Sequence, residues 1–582
     1  MAHTSSFAGP DEPQPNPPEP AKNIDFTWGV KIPMRDGLLL NATLYRPINA
    51  APTPVIFTLT PYISDSYHER GYYFARHGYT FALVDCRGRG NSEGDFEPFA
   101  NEGLDAYDLV EWLAAQPFCD GKVAMWGGSY AGFNQWMALK ELPPHLKTIV
   151  PAASAHAAVD FPFFKNIFYS NDIQWQTLIS GVTGNSNLFG EQAFWIEKFR
   201  QMYLNHRPFR ELDQIVGNLS THFQTNLAHP TPDAYWDRIT LTSAEYDRID
   251  IPILTITGHY DGDQPGALHY YRQHMGSTSP ARGQHYLIIG PWDHPGTRTP
   301  NKEFAGLKFG EACLLDLNKL HTEWYAWTMQ GGPKPEFLKQ RVAYYLAGAE
   351  EWKYADSLDA ISGETRRLYL TSTNGIANDV FHSGTLEETL PAVSQPDTYI
   401  YDPLDVRPAE LEREEVKDYF TDQRYAFNLY GNGLVYHSAP FEQDVEVTGF
   451  VKLVAWIALD VPDTDFQVTV SEILNDGSHI QLTQDLLRAR YRESLREEKL
   501  VTPGEINRYT FDGFTFFSRR VARGSRLRLL IVSPNSIYYQ KNYNSGGVVS
   551  AETGADARTA HVTLFHDENH PSYLELPLVK SA

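Results

Sequence analysis

The chain has 582 residues, 42% of them hydrophobic and 13% aromatic, more than one hydrophobic core accommodates, so two or three globular domains are expected. A net charge of −23 works against long-range attraction to nucleic acid or to an anionic membrane surface, which directs attention to a small-molecule partner. Cys86, Cys119 and Cys313 lie far apart with no C-x-x-C spacing, so they read as small buried residues rather than as a disulfide framework or a zinc site.

The first residues lack the basic and apolar regions of a secretory signal, and no later run is long enough for a membrane span; a cytoplasmic location is the expectation. Six prolines between Pro10 and Pro20 favour an extended solvated tail over residues 1–23. Past Ile24 two short apolar runs flank Asp36-Gly37, a hairpin signal that would begin an antiparallel edge.

Strands and helices then alternate. Val55 to Thr60, Tyr79 to Asp85 and Val123 to Trp126 read as strands, and Gly71 to His77 and Glu102 to Gln116 as helices. Short apolar runs between amphipathic helices indicate parallel strands covered on both faces. Further strands follow at Thr148 to Ala152, Ile253 to Thr257 and His285 to Ile289, but about a hundred residues separate the first two of these. That insert, rich in Phe, Trp, Tyr, Asn and Gln, reads as short helices forming a cap over one end of the sheet, or else a structural subdomain. A helix is expected over Glu311 to Met329. Gly331 to Pro333 then breaks the pattern, and from about Arg341 short strands beginning with Val342 to Leu346 point to a β-sandwich.

The sharpest local feature is Gly127-Gly128-Ser129-Tyr130-Ala131-Gly132, directly after the strand Val123 to Trp126 and before an apolar helix. A nucleophile on a tight strand-to-helix turn needs small neighbours, because the chain on either side passes close by. Ala131 stands where the usual G-x-S-x-G pattern has its last glycine, so the match is to a small-residue elbow. A serine hydroxyl needs a general base, and the base needs a partner that holds its tautomer. The strand from Pro252 ends in Gly258-His259-Tyr260-Asp261-Gly262-Asp263, and the strand from His285 ends in Gly290-Pro291-Trp292-Asp293-His294. Asp261 is the preferred acid over Asp263, and His294 the preferred base over His259 and His285. The order Ser, Asp, His at three strand ends is the one expected of such a sheet. An oxyanion needs donors: the backbone N–H of Tyr130 is one, and Tyr62, in Thr60-Pro61-Tyr62 after an earlier strand, is either the second or a packing residue. No H-E-x-x-H and no phosphate-binding glycine loop with a lysine is present, so neither metal nor cofactor is expected.

These segments, with LYRP at Leu44 to Pro47, DCRGRGNSEG at Asp85 to Gly94, YDPLD at Tyr401 to Asp405 and DTDF at Asp463 to Phe466, resemble the family of cocaine esterase, α-amino acid ester hydrolases and X-prolyl dipeptidyl-peptidases. The resemblance implies an α/β-hydrolase domain at 24–153 and 251–335, a helical cap at 154–250, and a C-terminal jelly roll at 336–582. It also implies that Ser129 is the nucleophile, Asp261 the acid, His294 the base, and Tyr62 with the Tyr130 amide the oxyanion hole. The Arg87 to Gly94 stretch reads as a scaffold turn. Family members that take amino-bearing substrates hold the ammonium with carboxylates. Asp263 follows the acid where such a carboxylate would sit and Asp160 lies at the start of the cap, but Phe161, Pro162 and Phe163 occupy the neighbouring positions and no complete cluster aligns; Asp160, Phe163 and Asp263 are the expected substrate contacts.

The resulting expectation is a serine hydrolase of a small-molecule ester, the alternative being an amide, an α-amino ester, or acyl transfer on the same three residues. A non-catalytic protein whose β-rich part binds carbohydrate or a partner is disfavoured by the complete set of roles. No nucleic-acid or membrane partner is expected, and homo-oligomerisation is left open.

Overall fold

The computed structural model describes residues 23–48, 51–63, 67–373, 375–390 and 395–579. Of the expected N-terminal tail, residues 1–22 lie outside the described residues. Two sheets organise the rest. The first has ten strands, in the spatial order Ile24–Pro33, Leu39–Pro47, Thr80–Asp85, Thr53–Thr60, Cys119–Gly128, Leu146–Ala152, Ile253–Tyr260, His285–Asp293, Val342–Leu346 and Glu351–Ala355. The opening hairpin is the antiparallel edge, with Gly37 at φ 88° in its turn. The seven strands from Thr80–Asp85 to Val342–Leu346 run parallel.

Alternation along the strands sorts side chains between two cores. Val55, Phe57, Val123 and Met125 face one core with Leu109, Phe133 and Trp136, from the helices Glu102–Ala114 and Tyr130–Glu141. Ile56, Ala124 and Trp126 face the other with Phe74, Trp324 and Tyr325, from the helices His68–Arg76 and Leu317–Gln330. The period of two that places neighbours on opposite faces is what lets short, wholly apolar strands be buried on both sides.

Between the strands Leu146–Ala152 and Ile253–Tyr260 the chain forms a short hairpin, Phe163–Phe164 with Ile167–Phe168, and helices that include Asn171–Leu178, Gln192–Leu204 and Thr221–Ala228. Their apolar faces build a separate core from Trp195, Phe199, Phe209, Phe223 and Trp236. Beyond Glu364 a second, 13-stranded sheet carries its own large core, with Phe466, Leu529 and Leu574 among its members.

One expected strand sits elsewhere than its neighbours in sequence suggest. Val342–Leu346 pairs in parallel with His285–Asp293, so it extends the first sheet rather than opening the second. All five of its residues are buried, as a strand covered on both faces requires. By sheet membership, the change from one domain to the next therefore falls after Ala355. The expected helix over Glu311 to Met329 begins later, at Leu317, where the Asp316 side chain accepts from the Lys319 N–H and caps it. Among the described residues no helix is long and apolar enough to cross a membrane.

Candidate active site

Ser129 stands between the strand Cys119–Gly128 and the helix Tyr130–Glu141 with φ 62° and ψ −126°, a backbone conformation costly for a residue with a side chain. The turn is permitted by what surrounds it. A Cβ on Gly127 would meet the Ala131 methyl at 2.6 Å, and one on Gly132 would meet Ser154 Oγ at 2.4 Å. Alanine fits at 131 because residue 127 has no Cβ to meet its methyl, while Gly132 lets the helix start pass close to Ser154. All three free cysteines are buried away from it in the cores.

The carboxyl ends of neighbouring parallel strands bring the other groups to the same edge. Asp261 follows Ile253–Tyr260, His294 follows His285–Asp293, and Tyr62 lies two residues past Thr53–Thr60. His294 Nδ1 lies 2.9 Å from Asp261 Oδ1. The Asp261 carboxylate is fully buried and also accepts from Thr257 Oγ1 at 2.8 Å and from the Asp263 N–H at 3.1 Å. Burial pushes its pKa up, but these bonds and the His294 charge outweigh burial and hold it below the usual carboxylate value. His259 and His285, the competing histidines, are buried elsewhere: His259 packs on Phe516, and His285 pairs with His274 at 2.8 Å.

Ser129, His294 and Tyr62 line one cavity of about 140 Å³. The Tyr62 hydroxyl accepts from Trp175 Nε1 at 3.1 Å and lines the same cavity as Ser129; burial pushes its pKa up to about 12, so it keeps its proton. Tyr130 opens its helix, where the first N–H groups have no intrahelical acceptor. Its ring is pinned from behind: the phenol donates to buried Glu102 and accepts from the Phe99 N–H at 2.7 Å.

The two further carboxylates are brought close, in different positions. Asp263 lines the cavity, 3.6 Å from His294 Nδ1, and its pKa is pushed well up by burial and then by the charges of Asp160 and Asp261. Asp160 is buried behind it, accepting from the His156 N–H at 2.8 Å and the Gly266 N–H at 2.6 Å; burial pushes it to about 8. Phe163, expected to touch substrate, does not line the cavity. It is 1% exposed and packs edge-on against Phe168 and Trp236 in the core of the helical insert. Phe161 lines the cavity instead.

Several walls of the cavity carry no local sequence signal. Trp175 and Gln174 come from the helix Asn171–Leu178, Phe304 from the short strand Glu303–Phe304 that follows His294, and Phe420 from the β-rich part, so all three regions of the chain meet here. Among the described residues no group of His, Cys, Asp or Glu is arranged to hold a metal ion.

Residues 36–296 match the X-Pro dipeptidyl-peptidase (S15) family, and residues 336–575 match the X-Pro dipeptidyl-peptidase C-terminal non-catalytic domain. The chain belongs to this family of serine hydrolases. A family relative, cocaine esterase of Rhodococcus sp., is 28% identical over 96% of the chain and 99% of the esterase. A putative serine esterase of Mycobacterium bovis is 24% identical over 94% of the chain and 95% of its own length. Among solved structures, an aminopeptidase from a marine-sediment Thaumarchaeota archaeon superimposes with a TM-score of 0.85 at 21% identity, covering 98% of this chain and 99% of the aminopeptidase. An α-amino acid ester hydrolase gives 0.83 at 21% identity, covering 99% and 100%. The S15 fold is therefore shared throughout, as an α/β-hydrolase domain followed by a β-rich domain.

Proposed function

We propose that the protein hydrolyses a carboxylic ester of a small molecule through an acyl-enzyme on Ser129. The observation that carries this reading is the 2.9 Å contact of His294 Nδ1 with buried Asp261, on the edge of the cavity that also holds Ser129 at its strained elbow. With Nδ1 committed to Asp261, Nε2 is the nitrogen that takes the Ser129 proton as Oγ attacks the ester carbonyl. The tetrahedral oxyanion accepts from the Tyr62 hydroxyl and the Tyr130 N–H. Collapse expels the alcohol, protonated by His294, and water activated by the same base releases the acid.

In this reading 154–250 acts as the cap and supplies Trp175 and Phe161, while the C-terminal β-rich domain, read as a jelly roll, adds Phe420 to the wall. The aromatic lining suits a bulky apolar acyl or alcohol group. The test is a panel of aryl esters with the purified protein and its Ser129→Ala variant, together with labelling by a fluorophosphonate. Turnover and labelling are expected in the parent and absent in the variant; undiminished turnover by Ser129→Ala removes the reading.

A second reading has one specific observation behind it. Asp263 faces the cavity with its carboxyl held against two other carboxylates, so a substrate ammonium placed there gains a buried partner. An ester or amide with a free α-amino group on the acyl side is then the preferred substrate; the similar α-amino acid ester hydrolase carries an α-amino acid ester in its name. Comparing such an ester with its deaminated analogue tests this; equal kcat/KM for the two excludes it.

A further inference from the structure

The turn Arg87 to Gly94 reads in sequence as scaffold, but Arg89 within it does more than close a turn. Its guanidinium is fully buried. Nε donates to the Pro61 carbonyl at 2.7 Å, Nη1 to the carbonyls of Ile179 at 2.6 Å and of Gly181, and Nη2 to that of Leu178 at 3.4 Å. Pro61 immediately precedes Tyr62. Leu178 ends the helix Asn171–Leu178, whose last carbonyls have no donor within the helix. One side chain therefore ties the loop of the oxyanion tyrosine to the end of a helix from the insert.

That helix carries Trp175, and Trp175 Nε1 donates to the Tyr62 hydroxyl. A phenol has one proton and two acceptor lone pairs. With a lone pair occupied by the indole N–H, the phenolic proton is directed elsewhere, and Ser129 lines the same cavity. The contacts form a closed ring: Arg89 to Pro61, Tyr62 to Trp175, and the helix end back to Arg89. The base of the ring is stiff. Cβ atoms at Gly88 and Gly90 would meet Phe96 N at 2.2 Å and Asp85 Oδ2 at 2.5 Å, and the Gly90 N–H donates to the Val182 carbonyl at 2.6 Å. Burying a guanidinium among carbonyls is costly, and a turn alone does not require it.

We infer that Arg89 is a positioning residue for the reaction: by holding the Tyr62 loop against the Trp175 helix it aims the Tyr62 proton at the oxyanion. This rests on the proposed role of Tyr62. The oxyanion hole is then complete only while the insert is seated, with Trp175 the contact that transmits its position.

The test is a double-mutant cycle on kcat for an aryl ester, pairing Arg89→Lys with Tyr62→Phe. Lysine keeps the charge but not the planar fork that reaches several carbonyls at once. Arg89→Lys is expected to lower kcat by about tenfold or more, with KM shifted less, since small misplacements of a catalytic group are expensive. In the Tyr62→Phe background the same change should cost less than about twofold, because the group it positions is gone. Trp175→Phe, which removes the N–H, should show the same coupling and serves if Arg89→Lys does not fold. A loss that is equal in both backgrounds, or no loss, overturns the inference while leaving the Tyr62 assignment in place. An unchanged kcat in Tyr62→Phe overturns both.

Discussion

His294 and Asp261 meet at 2.9 Å across 33 residues of chain because they follow adjacent parallel strands, so the register of the sheet sets their distance. Removing the negative charge without changing shape isolates what that contact does. Asp261→Asn presents an amide to Nδ1 and favours the wrong histidine tautomer. Loss of kcat on the order of 10⁴-fold is expected. Steady-state kinetics on an aryl ester check it, and a loss under about tenfold counts against His294 as the base.

In the proposed mechanism Tyr62→Phe deletes one oxyanion donor and little volume. The barrier should rise by about 2.7 to 4 kcal/mol, seen in kcat more than in KM. A change confined to KM instead makes Tyr62 a packing residue.

Asp263→Asn removes a carboxylate from the cavity wall and from beside His294 but keeps the Asp263 N–H that donates to Asp261, so its effect on substrate choice is read as a ratio between two substrates. An ester with a free α-amino group should lose kcat/KM by about tenfold or more relative to its deaminated analogue, the scale of losing one charge-assisted bond. An unchanged ratio between the two substrates shows that the carboxylate holds no ammonium.

Phe163→Ala tests a position that the geometry takes out of the site. Emptying the space beside Phe168 and Trp236 should destabilise the protein by about 3 to 5 kcal/mol in denaturant melts. The surviving folded enzyme should keep its KM, and a raised KM with unchanged stability contradicts this placement.

Stability should also depend on pH. Burial pushes Glu102, Asp172 and Glu412 to about 7 and Asp160 to about 8. Their unfolded values are about 4, so the folded chain holds protons that the unfolded chain has released. The stabilisation is fully present below about pH 4 and is lost as the pH rises through about 7 to 8. Thermal melts should therefore show a lower Tm at about pH 9 than at about pH 6; a rising Tm would mean that these carboxyls are ionised in the folded state.

What the sequence discloses follows from the range of each interaction. Ser129, Asp261 and His294 each end an apolar strand, a local signal, and parallel pairing converts three local signals into one edge. The Trp175 to Tyr62 bond spans 113 residues and joins an insert to a strand end, so neither residue type nor spacing announces it. Phe161 and Phe163 differ by two positions in an aromatic stretch; which one reaches the cavity depends on the path of the chain, which composition does not encode. Val342–Leu346 has the short, buried character of a strand in either sheet, and only its pairing decides between them.

That last strand bears on how the protein can be divided. A chain ended at residue 335, where the matched C-terminal domain begins one residue later, would strip Val342–Leu346 from His285–Asp293. The strand leading directly into His294 would become a bare, apolar edge, the kind of surface that recruits other chains into intermolecular sheets. Shortening the protein at the family boundary should therefore yield aggregates rather than a small hydrolase, whereas a cut after Ala355 leaves that edge covered.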